Sequence, residues 1–321
     1  MQKLIIKFLG FLPPPIARLP YDLGYLQILC LAKVLNLSCW ARNSYFFHNI
    51  IPGLSDIDFT IMVKPGMPER RVQKFIEFYS YVKRIMPFLG EINIYDTSDL
   101  EELSFWINRY EANRDPKLSS FLTLPSPRVG DRFIYLLRLL ESDANNLIKN
   151  PSMRQKKWLR HFQEVGLKAP EDITLPGLIE AISNVSSSDI GNSKTKEFLT
   201  FYINHNRTET FQHLHREGDE KLFIILYPHR WLVAANGEKE LRNTLTNLHF
   251  SQAELELIYA QLRWEINGLY SQRFTLPDKS NVIVYIDMIM NFLVLLQDAR
   301  EEDFIQLINS FKSLKKILSR T

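Results

Sequence analysis

Trp40-Ala41-Arg42-Asn43-Ser44 and, after a short gap, Pro52-Gly53-Leu54-Ser55-Asp56-Ile57-Asp58-Phe59-Thr60-Ile61-Met62-Val63 decide how the chain folds. The composition of the second run predicts a turn handing over to a strand. Side chains on a strand repeat their direction every two residues. Asp56 and Asp58 therefore share one face, and Ile57, Phe59, Ile61 and Val63 take the other as core. Two carboxylates side by side on a sheet face repel each other. A shared cation removes the repulsion, and hard oxygen ligands of this kind suit Mg²⁺.

Working outward, Tyr21 to Leu37 reads as a helix, with Leu23, Leu26, Leu29, Cys30, Val34 and Leu37 at helical spacing as its packed side. A brief strand over Leu37 to Ala41 then runs into Arg42-Asn43-Ser44. Downstream, Lys64-Pro65-Gly66-Met67-Pro68 is a loop, and Pro68 and Glu69 open a helix. Its buried stripe is Val72, Phe75, Ile76, Tyr79, Val82 and Met86, and Pro87 stops it. Phe88 to Tyr95 alternates as a strand, with Glu91, Asn93 and Tyr95 on one face and Ile92 and Ile94 on the other. Ser98 to Glu101 has the form of a capping box.

These residues resemble the polymerase-β-type nucleotidyltransferase superfamily, whose signature is a Gly-Ser turn followed about a dozen residues later by Asp-x-Asp at the head of a strand. Gly53-Leu54-Ser55-Asp56-Ile57-Asp58 matches the second half. Asn43-Ser44 stands in place of Gly-Ser; Asn tolerates a left-handed turn next best after Gly. The resemblance covers about the first third of the chain. It implies nucleotide binding by Arg42, Asn43, Ser44 and Ser55, and catalysis and metal binding by Asp56, Asp58 and a third acid on the neighbouring strand. Two alignments compete for that acid. The tighter match to the apolar flanks puts Asn93 there, and a shift of two puts Glu91 there. A bacterial subgroup with Arg-Asn-Ser and Pro-x-Leu-Gly-Glu runs favours Glu91. The implied activity is transfer of a nucleoside monophosphate from an NTP to a hydroxyl of a small molecule or protein, with two Mg²⁺ (or Mn²⁺) ions clamping the attacking and leaving oxygens. The alternative is a fold that has lost catalysis and binds a nucleotide or a partner protein.

The rest of the chain reads as helical. Asp131 is expected to cap a helix carrying Phe133, Ile134, Leu137 and Leu140. Ser251 to Glu254 forms another capping box, and Phe304 to Leu318 a final amphipathic helix. Leu222 to Tyr227 fits a strand or a buried helix turn. Gly191-Asn192-Ser193 and Thr208 to Glu220 read as loops. Val282 to Leu296 is nearly all apolar, but Asp287 and Asn291 sit four apart on one helical face. The stretch therefore reads as too short and too polar in the middle for a membrane span, and predicts the central helix of a bundle. Asp287 is then a satisfied core aspartate or, alternatively, part of an acceptor pocket. His213-x-His215 has no third ligand near it, and His48 lies between the two halves of the signature. The expected fold class is α+β: a small mixed-sheet nucleotidyltransferase domain over 1–115, then an all-helical domain over 116–321.

Composition sets the remaining bounds. With 321 residues, 45% hydrophobic and 23% charged, the chain is an ordinary globular protein of two-domain length. A net charge of +3 is too small for a dedicated nucleic-acid binder. Cys30 and Cys39 read as reduced, buried thiols of a cytoplasmic protein. Leu4 to Leu12 is apolar but broken by Lys7 and ended by three prolines, so it reads as a packed leading helix or strap, with a weak membrane-surface contact as the lesser alternative, and as neither a signal peptide nor a membrane span. A homodimer is compatible with all of this.

Overall fold

The computed structural model describes residues 8, 11–48, 50, 55–124, 126, 128–149, 151–185, 192–204, 220–234, 245, 248–276, 278–296 and 301–319. The fold is mixed α+β. The chain packs as two compact units. The first comprises Met1–Ile107, Ala112–Pro125 and Asn267–Asp278, and the second comprises Asn108–Glu111, Ser126–Ile266 and Lys279–Thr321.

The first unit is built on a three-stranded sheet of order β1-β2-β3, with β1 (Ser38–Arg42) antiparallel and β3 (Leu89–Asp96) parallel to the central β2 (Ile57–Val63). Ile57, Phe59, Ile61 and Val63 are buried together with Leu89 and Ile94. Helices α1 (Pro14–Val34) and α2 (Glu69–Ile85) contribute to the same core. On α2 the buried residues are Val72, Phe75, Tyr79 and Val82, in keeping with the sequence pattern. On α1 the pattern misleads. The helix starts earlier, at Pro14, and buries Ala17, Tyr21, Gly24, Ile28 and Ala32, while Leu23, Leu26, Cys30 and Val34 are exposed. The reason is distance. A Cβ on Gly24 would stand 3.0 Å from Phe88 Cε2 and 3.2 Å from Met86 Sδ, so small side chains let α1 lie close on this core and the leucines face outward.

The other face of the sheet mixes the polar Arg42, Asp58, Thr60 and Asn93 with the buried Trp40, Met62 and Tyr95, and Asp115 bonds to it. This buried carboxylate accepts from Trp40 Nε1 on β1 (2.8 Å), from the Thr60 hydroxyl on β2 and from Leu118 N (3.0 Å), where it caps the helical turn Pro116–Ser119. One aspartate thus ties two strands to the segment after them. A capping box does precede α3 (Leu100–Trp106), but two residues earlier than Ser98: Asp96 accepts from Ser98 N and Asp99 from Asp96 N. Asp99 also holds Arg273 at 2.6 Å, and Tyr270 stacks on Trp106, which attaches Asn267–Asp278 to this unit.

The described part of the second unit is helical: α4 (Val129–Lys149), α5 (Pro151–Glu164), α6 (Leu175–Ser183), α7 (Asn192–Asn204), α8 (Glu220–Leu226), α9 (Pro228–Ala234), α10 (Gln252–Gln272, whose last turn belongs to the first unit), α11 (Lys279–Leu296) and α12 (Glu301–Leu318). Leu222 to Leu226 is helix, not strand, and Asn192 and Ser193 open a helix. Asp131 lies inside the first turn of α4 and pairs with the buried Arg263 at 3.2 Å. The capping box at Ser251 and Glu254 forms, with bonds of 2.6 and 3.3 Å. The expectation of a buried Asp287 is overturned: its side chain is 43% exposed and grips Lys315 of α12. Ile286, Ile289, Phe292 and Leu293 are buried while Val284 and Val294 are exposed, so α11 buries one side only. The reading of this stretch as too short and too polar to span a membrane is also corrected: the helix begins earlier, at Lys279, and by length and composition α11 is apolar enough to cross a membrane, with 28% of it buried. Gly53, residues 1–7 and the His213-x-His215 pair lie outside the described residues.

Removing the Asp115 carboxylate strands three buried donors, Trp40 Nε1, the Thr60 hydroxyl and Leu118 N, each costing about 1–3 kcal/mol. Asp115→Ala is therefore expected to lower stability by about 3 kcal/mol or more, read as a shift in the urea midpoint followed by tryptophan fluorescence.

Candidate active site

The candidate site begins with a break in the β2–β3 ladder. Ile57 pairs with Leu89, but Phe59 pairs with Ile92, so Asp58 faces two residues, Gly90 and Glu91. Such a bulge places an extra residue on one strand and leaves backbone groups out of the ladder. Here two of them find partners elsewhere. Glu91 N donates to Asp58 Oδ1 at 2.9 Å, and the Gly90 carbonyl accepts from the Tyr79 hydroxyl at 3.1 Å and from the Lys83 ammonium. The bulge also restores alternation, because Leu89 and Ile92 are three apart yet both reach the core side.

Position 90 must be glycine. A Cβ there would fall 2.2 Å from Asp58 Oδ1 and 3.2 Å from both Cγ and Oδ2 of Asp56. The same two distances show that the carboxylates of Asp56 and Asp58 converge over this one residue, as their sequence spacing predicts. Asp56 stands just ahead of β2, and the carbonyl of Ser55 beside it is held by Tyr21 OH at 3.0 Å.

Asn43 adds a further fixed donor to Asp58. It follows β1 with φ of 58°, the left-handed conformation that Asn adopts most readily after Gly. Its N–H donates to Arg114 O at 3.0 Å, and its amide Nδ2 donates to Asp58 Oδ2 at 2.6 Å. Arg42, buried at the end of β1, is directly opposite Asp58 in register. Burial raises the Asp58 pKa, but the charge of Arg42, the bonds from Glu91 N–H and Asn43, and the charge of Arg114 outweigh it and hold the carboxyl below its ordinary value. The two aspartates in turn reinforce the effect of burial on Tyr79, whose phenol is held protonated. Ser44 is half-buried in the helical turn Asn43–Phe46. His48 has φ of 56°, and its Nδ1 is 3.1 Å from Arg18.

The two competing positions on β3 separate. Glu91 is level with Asp58, whereas Asn93 pairs with Thr60, two residues further along, and is buried beside Tyr95. The Glu91 side chain is 74% exposed, and its carboxylate is 4.0 Å from Arg42. Among the described residues no three His, Cys, Asp or Glu side chains gather as a metal-binding group. Asp56 and Asp58 do fit one Mg²⁺, an ion commonly bound by one or two carboxylates with water and substrate phosphate completing its shell.

Arg114 and Asp115 were not singled out by motif. Their segment reads as a polar boundary, although Asp-Pro followed by a turn is an N-cap signal that marks Asp115. No family model, curated protein or solved structure matches the chain.

Two outcomes follow. Gly90→Ala should cost about 1–3 kcal/mol through overpacking, and much less in an Asp58→Ala background; a double-mutant cycle in urea measures the coupling. The second concerns pH. Because the folded pKa of Asp58 is depressed, its contribution to stability is full above the unfolded value of about 3.9. It is lost as pH falls below that value through the folded pKa. The urea midpoint should therefore drop more steeply from pH 5 to pH 2.5 in the parent than in Asp58→Asn.

Proposed function

We propose that the chain is a Mg²⁺-dependent nucleotidyltransferase that moves a nucleoside monophosphate from an NTP to a hydroxyl acceptor. The observation that carries this reading is the convergence of Asp56 and Asp58 on Gly90 at the head of β2. Two carboxylates brought this close cost energy unless a cation or fixed donors offset them. In this reading the first unit is a nucleotidyltransferase domain and the second a helical accessory domain.

A bound Mg²⁺ would supply Lewis-acid charge to the phosphates. Asp56 and Asp58 would hold it. Asp58 is already oriented by Asn43 and by the Glu91 N–H, so little reorganisation is needed. Arg42 adds positive charge at the same end of the sheet, and Ser44 offers a hydroxyl to a phosphate oxygen. The acceptor oxygen would attack the α-phosphorus as the bond to pyrophosphate breaks. Glu91, level with Asp58 and open to solvent, is the group assigned to receive the acceptor's proton.

One observation favours a second reading, in which the unit binds nucleotide without turning it over. The Glu91 carboxylate leans to Arg42 instead of joining the aspartates, and Arg42 and Arg114 already offset the Asp58 charge.

Incubation with each NTP, Mg²⁺ and a panel of hydroxyl acceptors is expected to release pyrophosphate, with Asp56→Ala and Asp58→Ala each reducing the rate by about a hundredfold or more. Release that persists unchanged in Asp56→Ala contradicts the enzymatic reading. NTP binding in a calorimeter that ignores both Mg²⁺ and loss of the aspartates selects the second.

A further inference from the structure

Helix α1 is apolar on two opposite sides. One side packs on the sheet through Ala17, Tyr21, Gly24, Ile28 and Ala32. The other carries Ile16, Leu19, Leu23 and Leu26, exposed by 56, 59, 51 and 54%, and continues through Cys30 to Lys33, all at the 3-4 spacing of one helical stripe. Phe8 and Phe11, just before the helix, are exposed as well. Solvated leucine rows of this length are not needed for folding; they mark an interaction surface.

The neighbouring helix α2 carries a second such row: Arg71, Lys74, Phe78, Tyr81 and Ile85, all exposed and again at 3-4 spacing. The charges of this helix layer are lopsided. On α1, Arg18 pairs with Asp22, which leaves Lys33. On α2, Lys83 is turned to the Gly90 carbonyl, which leaves Arg70, Arg71, Lys74 and Arg84 against Glu69 and Glu77. Five cations against two acids is an excess of three, as large as the net charge of the whole chain.

We propose that the α1–α2 layer docks on an anionic phospholipid surface. Leucine, isoleucine and aromatic side chains enter the boundary between headgroups and acyl chains, while arginine and lysine meet lipid phosphates. A second copy of the chain fits less well. Two such faces would repel, and the α1 row spans about two heptads with Pro20 inside the helix, short of the three or four that a coiled coil needs. A nucleic-acid backbone would use the cations but gain nothing from the aliphatic row. The helices lie on the surface in this arrangement and do not cross it.

Flotation of the full chain with vesicles tests the proposal. Binding is expected to phosphatidylcholine vesicles containing phosphatidylglycerol at low salt, and to weaken by about tenfold on pure phosphatidylcholine or at high salt. Leu23→Glu with Leu26→Glu should lose about tenfold or more of the binding with an unchanged circular dichroism spectrum, since both positions are solvated. Should that variant unfold, Cys30 carries the test. It is exposed on the row, whereas burial pushes the Cys39 thiol up to about 12, so an environment-sensitive fluorophore labels Cys30 selectively. Its emission should shift to the blue on anionic vesicles. The proposal is overturned by no flotation with anionic vesicles, by a label that does not respond, or by a parent dimer that the two glutamates disperse.

Discussion

A buried carboxylate at the head of β2 governs the local structure of the first unit. Charge removed from water must be met by fixed donors or opposite charge, and for Asp58 every neighbouring element contributes. Arg42 comes from the paired strand, Asn43 from the residue after it, the Glu91 N–H from a bulge in the parallel strand, and Arg114 from the segment that Asp115 anchors. Each contribution imposes its own condition. Asn43 takes a left-handed backbone, position 90 can carry no side chain, and the Gly90 carbonyl needs Tyr79 and Lys83 from α2 because the ladder no longer serves it. The site and the fold around it are therefore one arrangement. Loosening any of these conditions changes the direction in which Asp58 points.

Much of this was legible in the residues themselves. The strand at Ile57, the shared face of Asp56 and Asp58, helix α2 and the tolerance of Asn43 for a left-handed turn follow from periods of two and 3.6 and from the chemistry of asparagine. Three features were not legible, each for a physical reason. Apolar spacing on α1 names two stripes, and only the close approach of Gly24 to Phe88 and Met86 decides which one is inside. A bulge leaves no mark in an alternating pattern except an odd interval between core residues, here Leu89 to Ile92. Asp287 sits in an apolar run and reads as buried, yet its helix covers the core on one side only and leaves the carboxylate to Lys315.

The helical unit meets the same constraint differently. Arg138 lies within 3.0 Å of Glu141 and 2.7 Å of Gln261, Arg230 within 3.4 Å of Glu141, and Tyr285 donates to Glu265. Burial pushes the Glu265 carboxyl up, against the pull of Arg138 and the Tyr285 bond. Mutual neutralisation of this sort contributes little net stability but penalises any packing that separates the partners. At the head of β2, by contrast, the acids are gathered toward one residue, and the groups that offset the Asp58 charge come from four places. That difference is what makes the first cluster a candidate site and the second a structural network.

The proposed nucleotidyl transfer requires Asp56 and Asp58 jointly to grip a divalent ion beneath a triphosphate. Electron paramagnetic resonance of Mn²⁺, titrated into the full chain with a non-hydrolysable NTP, reads that grip without requiring turnover. The account predicts a protein-bound Mn²⁺ signal that needs the nucleotide and is lost in Asp56→Asn, while that variant melts as the parent does. A bound signal of equal strength and affinity in Asp56→Asn would contradict it.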